Sequence, residues 1–275
     1  MVAERLKPTA TYIRRLSLSE WAMLGSFGVF CFVYPFAIVL LSLDLMPFGM
    51  EWMSSLLLAM LGLSAWGWLW ANFGSKGLAL GAMLFLLGVA VEYVGVRTGV
   101  PFGTYHYTGV LVPQLPGGVP LALGFAWLLI VVGGLFTARH VLRSFRIYSG
   151  ALAVLAGAVL AVGLDLLLEP VAYHVKKYWL WEGDTQGYYG VPWSNFAAWV
   201  AVALVLGFIL SAFTHSNRPL LWGWLPITLY CMNVVMFGLV NVAHRFWVAG
   251  LIGAVILGVL LIPLMNRRLR PYNQL

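Results

Sequence analysis

Apolar residues run along this chain in blocks of about twenty, separated by short polar gaps, and the blocks rather than any alternating pattern set its architecture. They fall at about 22–43, 52–71, 77–96, 119–137, 150–169, 194–213, 219–241 and 246–265. About twenty apolar residues wound as helix cross the hydrocarbon core of a bilayer, so the pattern predicts eight spanning helices. The SLSEW stretch from Ser17 carries serines suited to cap the first helix. Glycines recur inside the blocks, as at Gly150, Gly157 and Gly163 or Gly250, Gly253 and Gly258, where they let helices approach closely. The expected organisation is an interfacial segment at 1–20, one transmembrane domain at 21–266 and a basic tail at 267–275. No repeat, linker or low-complexity segment divides the chain.

Composition agrees with that reading. Hydrophobic residues make up 62% of the 275 and charged residues only 9%, against roughly 25% charged in a soluble domain. The fold class expected is all-α, a multi-pass helix bundle in the cell membrane. The net charge of +7 is explained by sidedness rather than by nucleic acid as a partner. With the N-terminus in the cytoplasm, the cytoplasmic loops collect Arg5, Lys7, Arg14, Arg15, Lys76, Arg139, Arg143, Arg146, Arg218, Arg267, Arg268 and Arg270. The other side holds Arg97, Lys176, Lys177 and Arg245, and the asymmetry predicts both termini cytoplasmic. Cys31 and Cys231 lie inside apolar blocks without metal-ligand or redox spacing, so neither a disulfide nor a thiol site is expected. No cleavable signal peptide is expected either.

Two polar interruptions stand out, both on the side opposite the N-terminus. In the first, EYVGVRTGVPFGTYHY, Glu92 comes late in an apolar block and is followed by Arg97, Tyr105, His106 and Tyr107. In the second, LDLLLEPVAYHVKKYWLWEGDTQGYYGVPWSN, Asp165 and Glu169 close a block, and His174, Trp179, Trp181, Tyr188, Tyr189, Trp193 and Asn195 follow. Carboxylates at the end of a membrane-length segment are functional-site candidates by default. Asp165 and Glu169 are four apart and so share a helix face, and Pro170 is expected to end or kink the helix there. Two carboxylates so close in a poorly solvated place do not both ionise readily, and a neutral carboxylic acid suits general-acid chemistry. The expected site therefore has Asp165, Glu169 and Glu92 as catalytic residues, inside a wall of aromatic faces able to hold a cation. The same carboxylates would alternatively be structural ion-pair partners of Arg97, Lys176, Lys177 or Arg245, and the aromatics an interfacial belt. His106, His174 and His244 lack the one-helix spacing of metal ligands, and no metal is expected. Neither a phosphate loop nor an aspartate-rich diphosphate motif is present.

The two motifs together, Glu92–Tyr107 with Leu164–Gly183 and Tyr188–Trp199, resemble the membrane carotenoid-biosynthesis family of carotenoid 1',2'-hydratases, of the bisanhydrobacterioruberin hydratase type. The resemblance covers roughly residues 80–265. It implies addition of water to the terminal double bond of a ψ end group, as in lycopene or γ-carotene, without a cofactor, in membrane lipid and in association with other carotenoid enzymes. Asp165 is then the first choice of proton donor, with Glu92 or Glu169 next. A carotenoid end-group cyclase or isomerase would use the same acid and cation. A proton-coupled lipid transporter or binding protein is the reading from another class, disfavoured because the carboxylates gather toward one face.

Overall fold

The computed structural model describes residues 16–183, 186–215 and 219–268, with no side chains described over 263–268. Most of the expected interfacial segment and most of the basic tail lie outside the described residues, as do Arg218 and Asp184.

Among the described residues seven helices carry the fold: α1 Leu18–Ser42, α2 Trp52–Thr98, α3 Ala122–Ser144, α4 Gly150–Pro170, α5 Trp193–Phe213, α6 Leu225–Ala243 and α7 Trp247–Arg268. Six are long and apolar enough to cross a membrane, and α7 is apolar over the shorter stretch Trp247–Ile262. The difference from the expected eight lies in α2, whose 47 residues contain both the 52–71 and 77–96 blocks. At 1.5 Å per residue a straight helix of that length would run about 70 Å, more than twice the hydrocarbon thickness. It does not run straight. Gly74 adopts φ 59° and ψ −141°, a conformation open mainly to glycine, and the chain doubles back there. Trp66 Nε1 donates to the Leu78 carbonyl at 2.9 Å, and a Cβ on Gly81 would lie 2.3 Å from the Trp66 ring.

α1 begins with a reciprocal capping box in which Ser17 Oγ accepts from the Glu20 amide and the Glu20 carboxylate accepts from the Ser17 amide. The serine signal in SLSEW thus places the helix start four residues ahead of the apolar block. α3 is the axis of the bundle, buried almost continuously from Ala122 to Ala138 and packed against α2, α4, α5 and α6. A helix apolar all round needs such surroundings. Its crossing with α4 depends on Gly134 and Gly157, since a Cβ on Gly134 would meet the Gly157 carbonyl oxygen at 2.9 Å.

Polar tethers mark the two ends of the bundle. At one end Trp222 Nε1 donates to Glu20 at 3.2 Å, and the Leu221 amide donates to Asn72 Oδ1 at 2.7 Å. At the other, His244 Nε2 donates to the Leu41 carbonyl at 2.8 Å, and Tyr178 OH donates to Ser54 Oγ at 2.7 Å. This second end also carries a short stretch of sheet. Two three-residue strands, β1 Tyr105–Tyr107 and β2 Trp179–Trp181, pair antiparallel with Tyr105 opposite Trp181 and Tyr107 opposite Trp179.

α4 reaches Pro170, the residue expected to end or kink it. Pro170 does not end the helix at Glu169. The chain continues through a π-helical turn, Val171–Val175, in which the Lys176 amide reaches back to the Val171 carbonyl at 2.9 Å. A proline supplies no N–H to the preceding turn, and widening the helix behind it is one way to carry on past that gap.

Candidate active site

The ribbon closes the end of the bundle where α2 and α4 finish and α3 and α5 begin. Side chains on a strand alternate, so Tyr105 and Tyr107 point to one face with Trp179 and Trp181, while His106 and Leu180 point to the other. The inward four meet the carboxylates. Glu92 Oε2 accepts hydrogen bonds from Tyr105 OH at 2.7 Å and Tyr107 OH at 2.6 Å, and its Oε1 accepts from Trp127 Nε1 at 2.8 Å. Glu169 Oε2 accepts from the indole N–H groups of Trp179 and Trp181 at 3.1 and 3.2 Å, and its Oε1 from Asn195 Nδ2 at 3.2 Å. Asn195 Nδ2 also reaches Asp165 Oδ2 at 2.9 Å. Glu92, Asp165 and Glu169 are 7%, 0% and 1% exposed.

Every one of these partners is neutral. Buried carboxyl groups are usually matched by a cation or heavily hydrogen-bonded; Glu92 and Glu169 each accept hydrogen bonds from three neutral donors. The expected alternative of ion pairs is not realised for any of the three. Arg97 instead lies over the Tyr93 ring, 4.4 Å from its centroid. Burial first, and the Glu92 charge second, push the Tyr105 and Tyr107 phenols well above the ordinary tyrosine value, so both remain donors at any ordinary pH. Tyr178, buried against Ser54, is pushed up to about 12.

Glu92 and Glu169 face one cavity with about 450 Å³ of non-atom space including its open mouth, walled by Tyr105, Tyr107, Trp127, Trp179, Trp181, Asn195 and Trp199, with Phe102, Leu123, Ala126, Ile130 and Leu168 completing it. Trp127 and Trp199 stack with centroids 4.6 Å apart, and Tyr105 lies 5.1 Å from Trp181. Asp165 is not on the wall. It stands one turn back along α4, behind Glu169 and Asn195. Its Oδ1 is buried with no hydrogen-bond partner in the protein.

Of the residues expected from sequence to bind substrate, Tyr105, Tyr107, Trp179, Trp181 and Asn195 reach the cavity, and Arg97, His106, His174, Tyr188, Tyr189 and Trp193 do not. Strand alternation turns His106 outward, where its Nδ1 lies 2.8 Å from Glu182 Oε1 with both side chains about half exposed. His174 donates to the Tyr189 carbonyl at 2.7 Å on the far side of the π-helical turn. Tyr188, Tyr189, His174 and Phe246 make a separate aromatic group, with Tyr189 and Phe246 centroids 5.1 Å apart. Trp193 is 63% exposed. His244 is likewise engaged elsewhere, and among the described residues no group of three His, Cys, Asp or Glu side chains is placed to hold a metal ion. Sequence reasoning missed Trp127, Trp199 and Phe102. A buried indole N–H must find an acceptor, and Trp127 in the middle of an apolar block was the available signal.

Fold and site define a multi-span helical membrane protein with a cluster of buried carboxylates and aromatics at one end. Residues 51–261 match the family model described as "Carotenoid biosynthesis protein", and the chain belongs to that family. It is also 34% identical over 181 residues to the bisanhydrobacterioruberin hydratase of Haloarcula japonica, with 59% of each chain covered. The chain thus matches about three-fifths of that relative's length. No solved structure matches it.

Proposed function

We propose that the chain is a carotenoid hydratase, a carbon–oxygen lyase acting in the direction of water addition on the terminal double bond of a ψ end group in lycopene or γ-carotene. The observation that carries this is the pair of carboxyl groups, Glu92 and Glu169, facing one aromatic-walled cavity with only neutral partners. Family membership and the likeness to a hydratase support it.

Adding water to a trisubstituted alkene begins with a proton on the less substituted carbon, which leaves a tertiary cation. The donor has to touch the alkene, and Glu169 is therefore assigned the role in place of Asp165. Two carboxyl groups one turn apart, buried without a cation, do not both carry charge, so the pair holds a proton to give. The faces of Trp179, Trp181 and Tyr105 then stabilise the cation through their quadrupoles. Glu92 fixes the wall by accepting from Tyr105, Tyr107 and Trp127.

The cavity lies a turn or two inside the helix ends; Glu92 is six residues before Thr98, or about 9 Å along the axis. There the end group meets water while the polyene stays in lipid. In the membrane we place eight crossings, counting both arms of α2, with both termini cytoplasmic and the cavity toward the other side. Expression in a lycopene-accumulating host, with mass spectrometry of the pigments, tests the activity, and γ-carotene is offered in parallel. Products heavier by one or two waters are expected. Pigments of unchanged mass but altered structure would mean a cyclase or isomerase, and unaltered pigments with both carotenes would sink the enzyme reading.

A further inference from the structure

We propose that Asp165 binds the attacking water and takes its proton, so that Glu169 and Asp165 divide the two proton transfers of the hydration between them. This rests on the hydratase reading and deepens it. The geometry sets the two carboxyl groups apart although they share a helix face. Glu169 faces the cavity with both oxygens occupied, by Trp179 and Trp181 on one and Asn195 on the other. Asp165 is completely buried off the wall, held by Asn195 through Oδ2, and its Oδ1 has no partner. Buried acceptors in native proteins are met by protein donors or by ordered water, and one left unpaired calls for a functional account. Asp165 itself lines neither of the two voids near it, and the water proposed at Oδ1 enters from the main cavity. Glu169, one turn ahead on α4, borders the main cavity, and Ala161, one turn behind, borders a second void between α3, α4 and α5. The imidazoles that would otherwise serve as base are engaged elsewhere: His106 with Glu182, His174 with the Tyr189 carbonyl and His244 with the Leu41 carbonyl.

The step balances without a further reagent. The alkene π pair takes the Glu169 proton and forms a C–H bond, leaving the tertiary cation and the Glu169 carboxylate. A lone pair of the water held at Asp165 Oδ1 forms the C–O bond, and the proton released passes to Asp165. Returning that proton to Glu169, one turn away and tied to the same Asn195 amide, resets the pair. The sum is alkene plus water giving the tertiary alcohol.

The test separates protonation from water capture. Membranes containing the full chain are incubated with lycopene in D2O, and both the alcohol and the deuterium content of recovered alkene are read by mass spectrometry. Asp165→Asn is expected to lower alcohol formation about a hundredfold, the usual scale for loss of an acid–base group, while the cation it still forms sheds a proton and returns as alkene carrying a single deuterium. Glu169→Gln is expected to lose both alcohol and label. Asp165→Ala supplies a check independent of how asparagine packs, because added formate restores the alcohol if a free carboxylate replaces the base. Alcohol formation near the wild-type rate in either Asp165 variant, or loss of alcohol and label together in both, overturns the assignment. Wild-type membranes yielding neither alcohol nor labelled alkene from lycopene or γ-carotene would instead overturn the hydratase reading itself.

Discussion

Asn195 and Trp127 show how much of the site turns on single hydrogen-bond donors. Among the described residues the Trp127 indole is the one donor on Glu92 Oε1, and Trp127→Phe leaves a buried carboxyl oxygen bare. Loss of a partner from a buried group destabilises by about 1–3 kcal/mol, so a lower Tm in detergent is expected together with reduced alcohol yield. Tyr107→Phe is milder, because Tyr105 still holds Glu92 Oε2; a fall of about tenfold or less in turnover is expected, in line with the roughly 0.5–1.5 kcal/mol net worth of a typical hydrogen bond. Glu169→Gln should abolish detectable hydroxylation while leaving the extracted protein monodisperse. If pigment analysis finds that variant hydroxylating normally, Glu169 is not the acid.

Helix packing, one level up, positions those donors. Glycines on α2 lie beneath the aromatic wall, where a Cβ on Gly88 would fall 2.7 Å from Trp127 Cβ and one on Gly95 would fall 2.8 Å from Tyr105 OH. Gly88→Ala and Gly95→Ala are therefore expected to displace Trp127 and Tyr105 and to reduce turnover by an order of magnitude or more, measured as alcohol formed per extracted protein. Gly25 on α1 has nothing within 4 Å of the same position. Gly25→Ala should keep full turnover and leave Tm unchanged or raise it, since alanine is worth about 0.5–1 kcal/mol over glycine in a helix interior. Equal damage from all three would mean that the α2 glycines act through general stability and not through the wall.

At the scale of the whole molecule, helices running up and down deliver α2 and α4 endings and α3 and α5 beginnings to a single end, opposite the Glu20 and Asn72 tethers. The charge asymmetry that predicts its sidedness rests on Arg5, Lys7, Arg14 and Arg15 together with Arg218, Arg267, Arg268 and Arg270, because Lys76, Arg139, Arg143 and Arg146 are balanced in number by Arg97, Lys176, Lys177 and Arg245. Sidedness is open to a direct measurement. With Cys31 and Cys231 replaced by serine, a cysteine at Thr108 should react with an impermeant maleimide added outside intact cells, and one at Arg146 only after the membrane is opened. The reverse labelling would turn the cavity to the cytoplasm.

The alternation of apolar blocks and polar gaps by itself determined that helices would cross a membrane, about where each would start, and which two interruptions hold the carboxylates, because burial in lipid demands long apolar helices and leaves charged exceptions conspicuous. Even the two arms of α2 were legible as separate blocks, although only the backbone turn at Gly74 shows them joined. What tertiary structure alone decided is which polar groups meet. The inward face of β1 and β2 follows from the pairing of segments over seventy residues apart, and that pairing chose Tyr105 and Tyr107 and turned His106 away. The π-helical turn after Pro170 carried the chain past a residue expected to end or kink the helix. The different stations of Asp165 and Glu169 depend on where Asn195 arrives from α5. Such contacts depend on orientation across helices, and spacing along one chain carries no information about that.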